Sequence, residues 1–190
     1  MCNIVHVQSE RSATVLRHVG DNLRRLRARA GVSQAALAKE SGISRRTIIS
    51  LEAGEANISL SALDRLADAL GTTFATLVAE PGAPRTAIDE ITWRGTHPTS
   101  VGVLHSSSPA AREVQLWTWV LGPRDRYDAE PDPEGWSEMV VVTAGRLTIE
   151  QEESTLTLDA GEHAAYASNQ RYSYINSSET PAAFVRIVIA

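Results

Sequence analysis

The segment Ser33–Glu52 constrains this chain more than any other. Leu37, Ile43, Ile48 and Leu51 supply apolar anchors at helical intervals. Ser33 and Ser44 stand where N-caps belong, each ahead of a short helical run. Between the runs, Gly42 offers the left-handed backbone that ends a helix, and Ala38 is small enough for two helices to cross closely. Two short amphipathic helices joined by a tight glycine turn satisfy the pattern. The second presents Arg45 and Arg46 outward on its first turn.

The flanks continue the helical rhythm. A first helix is expected from near Arg17 to Ala30, with Val19, Leu23 and Leu26 inward and Gly31 as its stop. Ser59 caps a fourth over Leu60 to Leu70, with Leu63, Leu66 and Leu70 on one face and Gly71 just beyond. Thr73 caps a short fifth, Phe74 to Val78. Residues 1–16 read as a flexible arm, 17–79 as a helical domain, and 80–88, with its Pro and Gly, as a linker.

Beyond residue 89 the period changes from helix to strand. Glu113–Leu121, Met139–Val142, Arg146–Glu150, Ser154–Leu158, Arg171–Ile175 and Ala183–Ile189 are short and rich in β-branched and aromatic residues. Gly, Asp, Asn and Pro turns separate them. About eight strands in roughly a hundred residues fit a sandwich or jelly roll. The fold class is therefore two-domain α + β, a five-helix bundle followed by an all-β barrel at 89–190.

Charge divides at the same place. Residues 1–80 carry ten Lys/Arg against eight Asp/Glu, whereas residues 81–190 carry eight against fifteen. Val19–Gly54 concentrates seven basic residues against three acidic ones. Polyanion binding thus belongs to the N-terminal half, and the other half would be repelled by phosphates. One cysteine, Cys2, excludes an internal disulfide and a cysteine-cage metal site. No secretory signal or membrane span is expected, and a cytoplasmic protein is the simplest reading.

Over residues 19–78 the chain resembles the helix-turn-helix domain of the xenobiotic-response-element (XRE) family, the lambdoid-phage-repressor type. Gly31-Val32-Ser33-Gln34 and Leu51-Glu52-Ala53-Gly54 carry the likeness along with the two helices between them. The resemblance implies that the third helix lies in the major groove of double-stranded DNA and aims Ser44, Arg45, Arg46, Thr47 and Ser50 at base edges. For Ser44, a capping role stands equally open. Arginine matches the paired O6 and N7 acceptors of guanine. Gln34, opening the second helix, is expected at a phosphate. Arg24, Arg25 and Arg29 read as a solvated face with occasional phosphate contact. The resemblance further implies an ion pair between Arg27 and Glu52 beneath the third helix, and a homodimer reading an inverted repeat.

The C-terminal half resembles a small cupin. Glu138 with Gly145 follows the first cupin motif, and Gly161, Ala167-Ser168-Asn169, Tyr172 and Asn176 follow the spacing of the second. Metal-binding cupins place a His-x-His pair shortly before the glutamate. Here those positions hold Asp132 and Glu134, or Pro131 and Pro133, and the later histidine falls on Tyr172. No catalytic metal and no cofactor are expected. Glu138, Tyr172, Tyr174, Asn176 and Arg186 form a candidate pocket for a small polar effector; a barrel filled by its own aromatics is the alternative. His105 and His163 read as structural or surface residues. Asp128–Gly135 reads as an acidic loop, solvated or able to close over a ligand.

Three functions fit these observations. The first is a non-enzymatic transcription regulator, a DNA reader joined to a sensing or dimerising barrel. The second is a cupin enzyme of isomerase or dioxygenase type with an accessory DNA-binding domain. The third is an antitoxin-like interaction module. The helix-turn-helix favours the first.

Overall fold

A computed structural model describes residues 4–56, 58–80, 87–110 and 113–190, with side chains in the first helix from Val15 onward. The chain divides into two compact units, residues 1–91 and 92–190.

The first unit holds α1 (Ile4–Arg29), α2 (Gln34–Ser41), α3 (Arg45–Glu52), α4 (Leu60–Ala69) and α5 (Phe74–Val78). Helix α1 begins at Ile4, well before the expected start near Arg17, so residues 4–16 are helical and not an arm. The reason is compositional: neither Gly nor Pro interrupts 4–16, and a helix once nucleated propagates through such a stretch. Residues 1–3 of the expected arm and 81–86 of the expected linker lie outside the described residues.

Every cap anticipated from serine or threonine forms. Ser33 Oγ accepts from the Ala36 amide at 3.1 Å, Ser44 Oγ from Thr47 at 3.1 Å, Ser59 Oγ from Ala62 at 3.3 Å, and Thr73 Oγ1 from Thr76 at 3.3 Å. Gly42 closes α2 in the left-handed region with φ 69°. The core is built from Val19, Leu23, Leu37, Ile48, Leu51, Leu66, Phe74 and Leu77, all buried. Gly20 lets α1 approach the end of α3: a Cβ there would lie 2.6 Å from the Leu51 carbonyl oxygen. The buried Asn22 amide donates to the carbonyls of Leu77 and Ala79 at 3.0 and 2.9 Å, tying α1 to α5.

The second unit is a jelly roll of two sheets. Its strands are β1 (Glu90–Arg94), β2 (Val101–Ser108), β3 (Val114–Leu121), β4 (Arg126–Ala129), β5 (Ser137–Ala144), β6 (Arg146–Gln151), β7 (Thr155–Asp159), β8 (His163–Ala167), β9 (Tyr172–Ile175) and β10 (Ala182–Ile189). One sheet has the order β1-β2-β3-β10-β5-β8, the other β4-β9-β6-β7. Strand β10 runs antiparallel between β3 and β5, setting Arg186 opposite Trp117 on one side and Val140 on the other. Alternation sends Trp117, Trp119, Val140, Val142, Phe184 and Val188 into the interior. Trp119 stacks on Phe184 with centroids 6.0 Å apart and rings 8° from parallel. Among the described residues, no helix is long and apolar enough to cross a membrane.

Candidate DNA-reading face and barrel site

Helix α3 has two unlike sides. Ile48, Leu51 and Glu52 are buried against the bundle, while Arg45 and Arg46 are exposed and Thr47 and Ser50 are half-buried. Ile49 joins the outer side with 44% of its surface exposed. Spacing explains the stripe, since 46, 49 and 50 are i, i+3 and i+4 neighbours and 45 lies four residues before 49. At the start of α3, Ser44 Oγ also meets Thr47 Oγ1 at 2.8 Å. Both hydroxyls are thereby engaged in the cap.

The inner side is pinned by charge. Arg27 donates from Nε to Glu52 Oε1 at 2.6 Å and from Nη2 to Oε2 at 3.0 Å, and Gln34 Nε2 donates to Oε2 at 2.9 Å. Arg27 Nη1 also reaches the Val32 carbonyl at 3.0 Å, which fixes the guanidinium at the start of α2. Burial pushes the Glu52 carboxyl upward. The hydrogen bonds from Arg27 and Gln34, with the charges of Arg27 and Arg24, outweigh that and hold it below its ordinary value. Such a pair fixes orientation more than it adds stability.

In the barrel, one carboxylate gathers five donors. Glu138, on β5 and wholly buried, accepts from Tyr166 Oη at 2.7 Å, from Tyr172 Oη at 2.7 Å and from Tyr174 Oη. Arg186 donates to it through Nε at 2.7 Å and again through Nη2. Tyr166 and Tyr174 hydroxyls meet at 2.8 Å. The guanidinium carbon lies 5.2 Å from the Trp117 ring centroid and 5.7 Å from that of Trp119, a cation–π sandwich edge that helps offset its desolvation. Burial, then the Glu138 charge, drives all three phenols well above their ordinary value, so they stay protonated donors. For Arg186, burial pulls downward but the Glu138 charge prevails, and the guanidinium is held well above its ordinary value.

Residues 18–80 match the helix-turn-helix domain family. The chain carries a helix-turn-helix domain followed by a jelly-roll barrel. Over 94% of its length its fold is similar to that of an HTH_3 family transcriptional regulator from Vibrio cholerae, at 22% identity, 98% of that chain and a TM-score of 0.73. The cupin_2 domain of an XRE family transcriptional regulator from Enterobacter cloacae aligns with 51% of the chain and 93% of its own, at 21% identity and a TM-score of 0.41. Hydroxypropylphosphonic acid epoxidase from S. wedmorenis aligns with 92% of the chain and 99% of its own, at 17% identity and a TM-score of 0.43. No curated protein matches by sequence.

Within the helix-turn-helix domain, Arg45, Arg46, Thr47 and Ser50 share the outer side of α3, and Arg27 and Glu52 pair as the resemblance implies. Gln34 is engaged within the bundle, giving one of its two amide hydrogens to Glu52 at 2.9 Å. Arg24 and Arg25 are not merely solvated either: Arg24 Nη2 donates to the Glu52 carbonyl at 2.8 Å and Arg25 Nη2 to Asn22 Oδ1 at 2.9 Å.

Within the barrel, Glu138, Tyr172, Tyr174 and Arg186 come together. Asn176 does not join them. Its Nδ2 donates to the carbonyls of Leu121, Gly122 and Thr180, and its Oδ1 accepts from the Ser178 amide and hydroxyl. That side chain is a staple with its hydrogen bonds spent. Tyr166 was missing from the expected cluster; its signal was the register of β8 on β5, which sets it opposite Glu138. The donor set does not suit a metal, since Glu138 is neutralised by Arg186 and crowded by phenols that keep their protons. His105 Nε2 bonds Thr118 Oγ1 at 2.7 Å and His163 is exposed, away from the cluster.

Proposed function

We propose that this protein is a sequence-specific transcription regulator that sets the outer side of α3 into the major groove and reads an inverted repeat as a homodimer. The observation that carries this is the two-sidedness of α3: Arg45 and Arg46 are exposed while the opposite side is packed and clamped through Glu52. A guanidinium on a rigid helix can bond O6 and N7 of one guanine together, and Ile49 beside it offers an apolar contact. Ser44 and Thr47 act first as the cap of α3. The protein works in the cytoplasm, where the DNA is.

Dimerisation is assigned to the outer face of the six-stranded sheet. Leu116, Met139 and Val141 are 40%, 41% and 43% exposed there, and the register interleaves them with Ile187 and Val185 of β10. An uncharged, apolar face of this kind is self-complementary and suits a second copy of the chain. The barrel senses a small polar effector through differential affinity for two arrangements of the dimer, without catalysing a reaction. Its central carboxylate, saturated by donors, is poorly suited to acid–base work.

Selection of bound sequences from random duplex DNA tests the reading. A defined operator should emerge. Arg45→Ala and Arg46→Ala should each cost ~1–3 kcal/mol of discrimination at the positions they read. Binding no tighter than to random competitor, or unchanged discrimination in both variants, overturns it.

A further inference from the structure

Glu138, Arg186 and the three phenols largely satisfy one another, yet one end of the same interior is left open in bonding. Arg186 Nη1 and Trp136 Nε1 are buried and have no hydrogen-bond partner among the described residues, and beside them the Ser168 hydroxyl and the Asp132 carboxyl face each other. Trp136, Ser168 and Arg186 are each more than nine-tenths buried. Buried polar atoms in folded proteins nearly always find partners, so two unfilled donors beside this pair need an explanation.

The four belong to one place. Trp136 precedes Glu138 by two residues and Ser168 follows Tyr166 by two, so both pairs share the inner face of β5 and β8. The Ser168 amide donates to the Trp136 carbonyl at 3.1 Å, and the Asp132 amide donates to the Ser168 carbonyl at 3.0 Å. These bonds fold the β4–β5 loop onto the end of β8. Burial pushes the Asp132 carboxyl up to about 6; the nearby Arg186 charge pulls against the rise, Glu138 adds to it, and the Ser168 hydroxyl pulls against it.

Taking the barrel as the sensing half of the regulator, we infer that this end binds a small organic carboxylate bearing a second hydrogen-bond donor, a hydroxy acid or an amino acid. Its carboxylate meets Arg186 Nη1 and the Trp136 indole N–H, and its hydroxyl or ammonium meets Asp132, with Ser168 beside it. An apolar guest would leave the Arg186 and Trp136 donors unpaired. A phosphate dianion would face Asp132 and Glu138 with only one guanidinium nitrogen to spare. A metal ion would find two donors that repel it.

Calorimetric titration of the full-length protein with lactate, alanine and propionate tests this. Lactate or alanine, according to which donor Asp132 prefers, should bind at least tenfold more tightly than propionate, which lacks the donor. Trp136→Phe should weaken binding several-fold, and Asp132→Asn should abolish the preference over propionate, with circular dichroism checking each fold. The Trp136 indole N–H resonance of the wild type should shift on titration, which needs no variant. Equal or absent binding of all three acids overturns the site, as does a preference indifferent to both substitutions; water alone would then complete the cluster. Binding that leaves operator affinity unchanged removes the sensing role and leaves the site intact.

Discussion

Arg27 and Glu52 meet fork to fork, Nε on Oε1 at 2.6 Å and Nη2 on Oε2 at 3.0 Å, so α1 and the end of α3 are locked in one orientation. Arg27→Ala would leave the buried Glu52 charge with Gln34 alone, at ~2–4 kcal/mol of stability in urea unfolding. The pH sign follows from the lowered carboxyl. Its stabilisation is present above the unfolded value and is lost as pH falls through the lower folded one. Arg27→Ala should therefore flatten the acid limb of the stability curve, and an unchanged limb counts against the clamp.

The apolar sheet face makes a prediction about assembly. Met139→Glu with Val141→Glu would put two charges into an isologous contact, each meeting its symmetry mate or apolar surface. Light scattering should then report a monomer, with a compact barrel retained because both side chains point away from the core. A dimer of undiminished stability would move the interface elsewhere.

Much of this was legible in the sequence, for physical reasons that differ between the halves. Caps are local, so Ser33, Ser44, Ser59 and Thr73 announced four helix starts directly. Helix α1 ran past its expected start because nothing near Arg17 forbids a helix; the inward pattern marks where packing begins, not where the helix does. In the barrel, β3 and β10 stood out through β-branched and aromatic residues. Strand β2 ends in three serines and β8 has three alanines in five residues, so neither carries a propensity signal. Asn176 lay on the expected face but was claimed by a turn, and Gln34 by Glu52. Both are long-range facts. Asp132, Trp136 and Ser168 gave no warning, because what a buried atom meets is a property of packing.

Asp132 carries a cost that pH should expose. Its carboxyl ionises at about 6 in the fold against 3.8 as a free side chain, chiefly because burial disfavours the charge. Between those values the native state holds a proton the unfolded chain has released. Stability therefore falls as pH rises from 4 towards 6 and stays lower above it. Asp132→Asn should remove that slope and stabilise the barrel by ~1–3 kcal/mol at neutral pH, discounted for partial exposure. Equilibrium unfolding across this range is the measurement. A destabilised variant at neutral pH would mean that the hydrogen bond from Ser168 outweighs the cost of burying the charge. The same substitution should blunt selectivity in the barrel, a trade of stability for binding common at functional sites.

Ile49 offers the sharpest test of how α3 faces its target. A β-branched apolar side chain gains little on an exposed helix surface, and 44% exposure leaves it out of the bundle core. In the proposed docking, Ile49, flanked by Arg45 and Arg46, would touch a thymine methyl in the major groove, the one apolar feature a base edge presents there. Replacing thymine by uracil removes only that methyl. Affinity of the wild type for its selected operator should fall by ~1 kcal/mol for each half-site in which the methyl is removed. Ile49→Ala should bind the two operators alike, while its unfolding free energy stays within ~0.5 kcal/mol of wild type, as for other surface substitutions. If the uracil operator weakens both proteins equally, the methyl is read by another residue and Ile49 faces away from the groove.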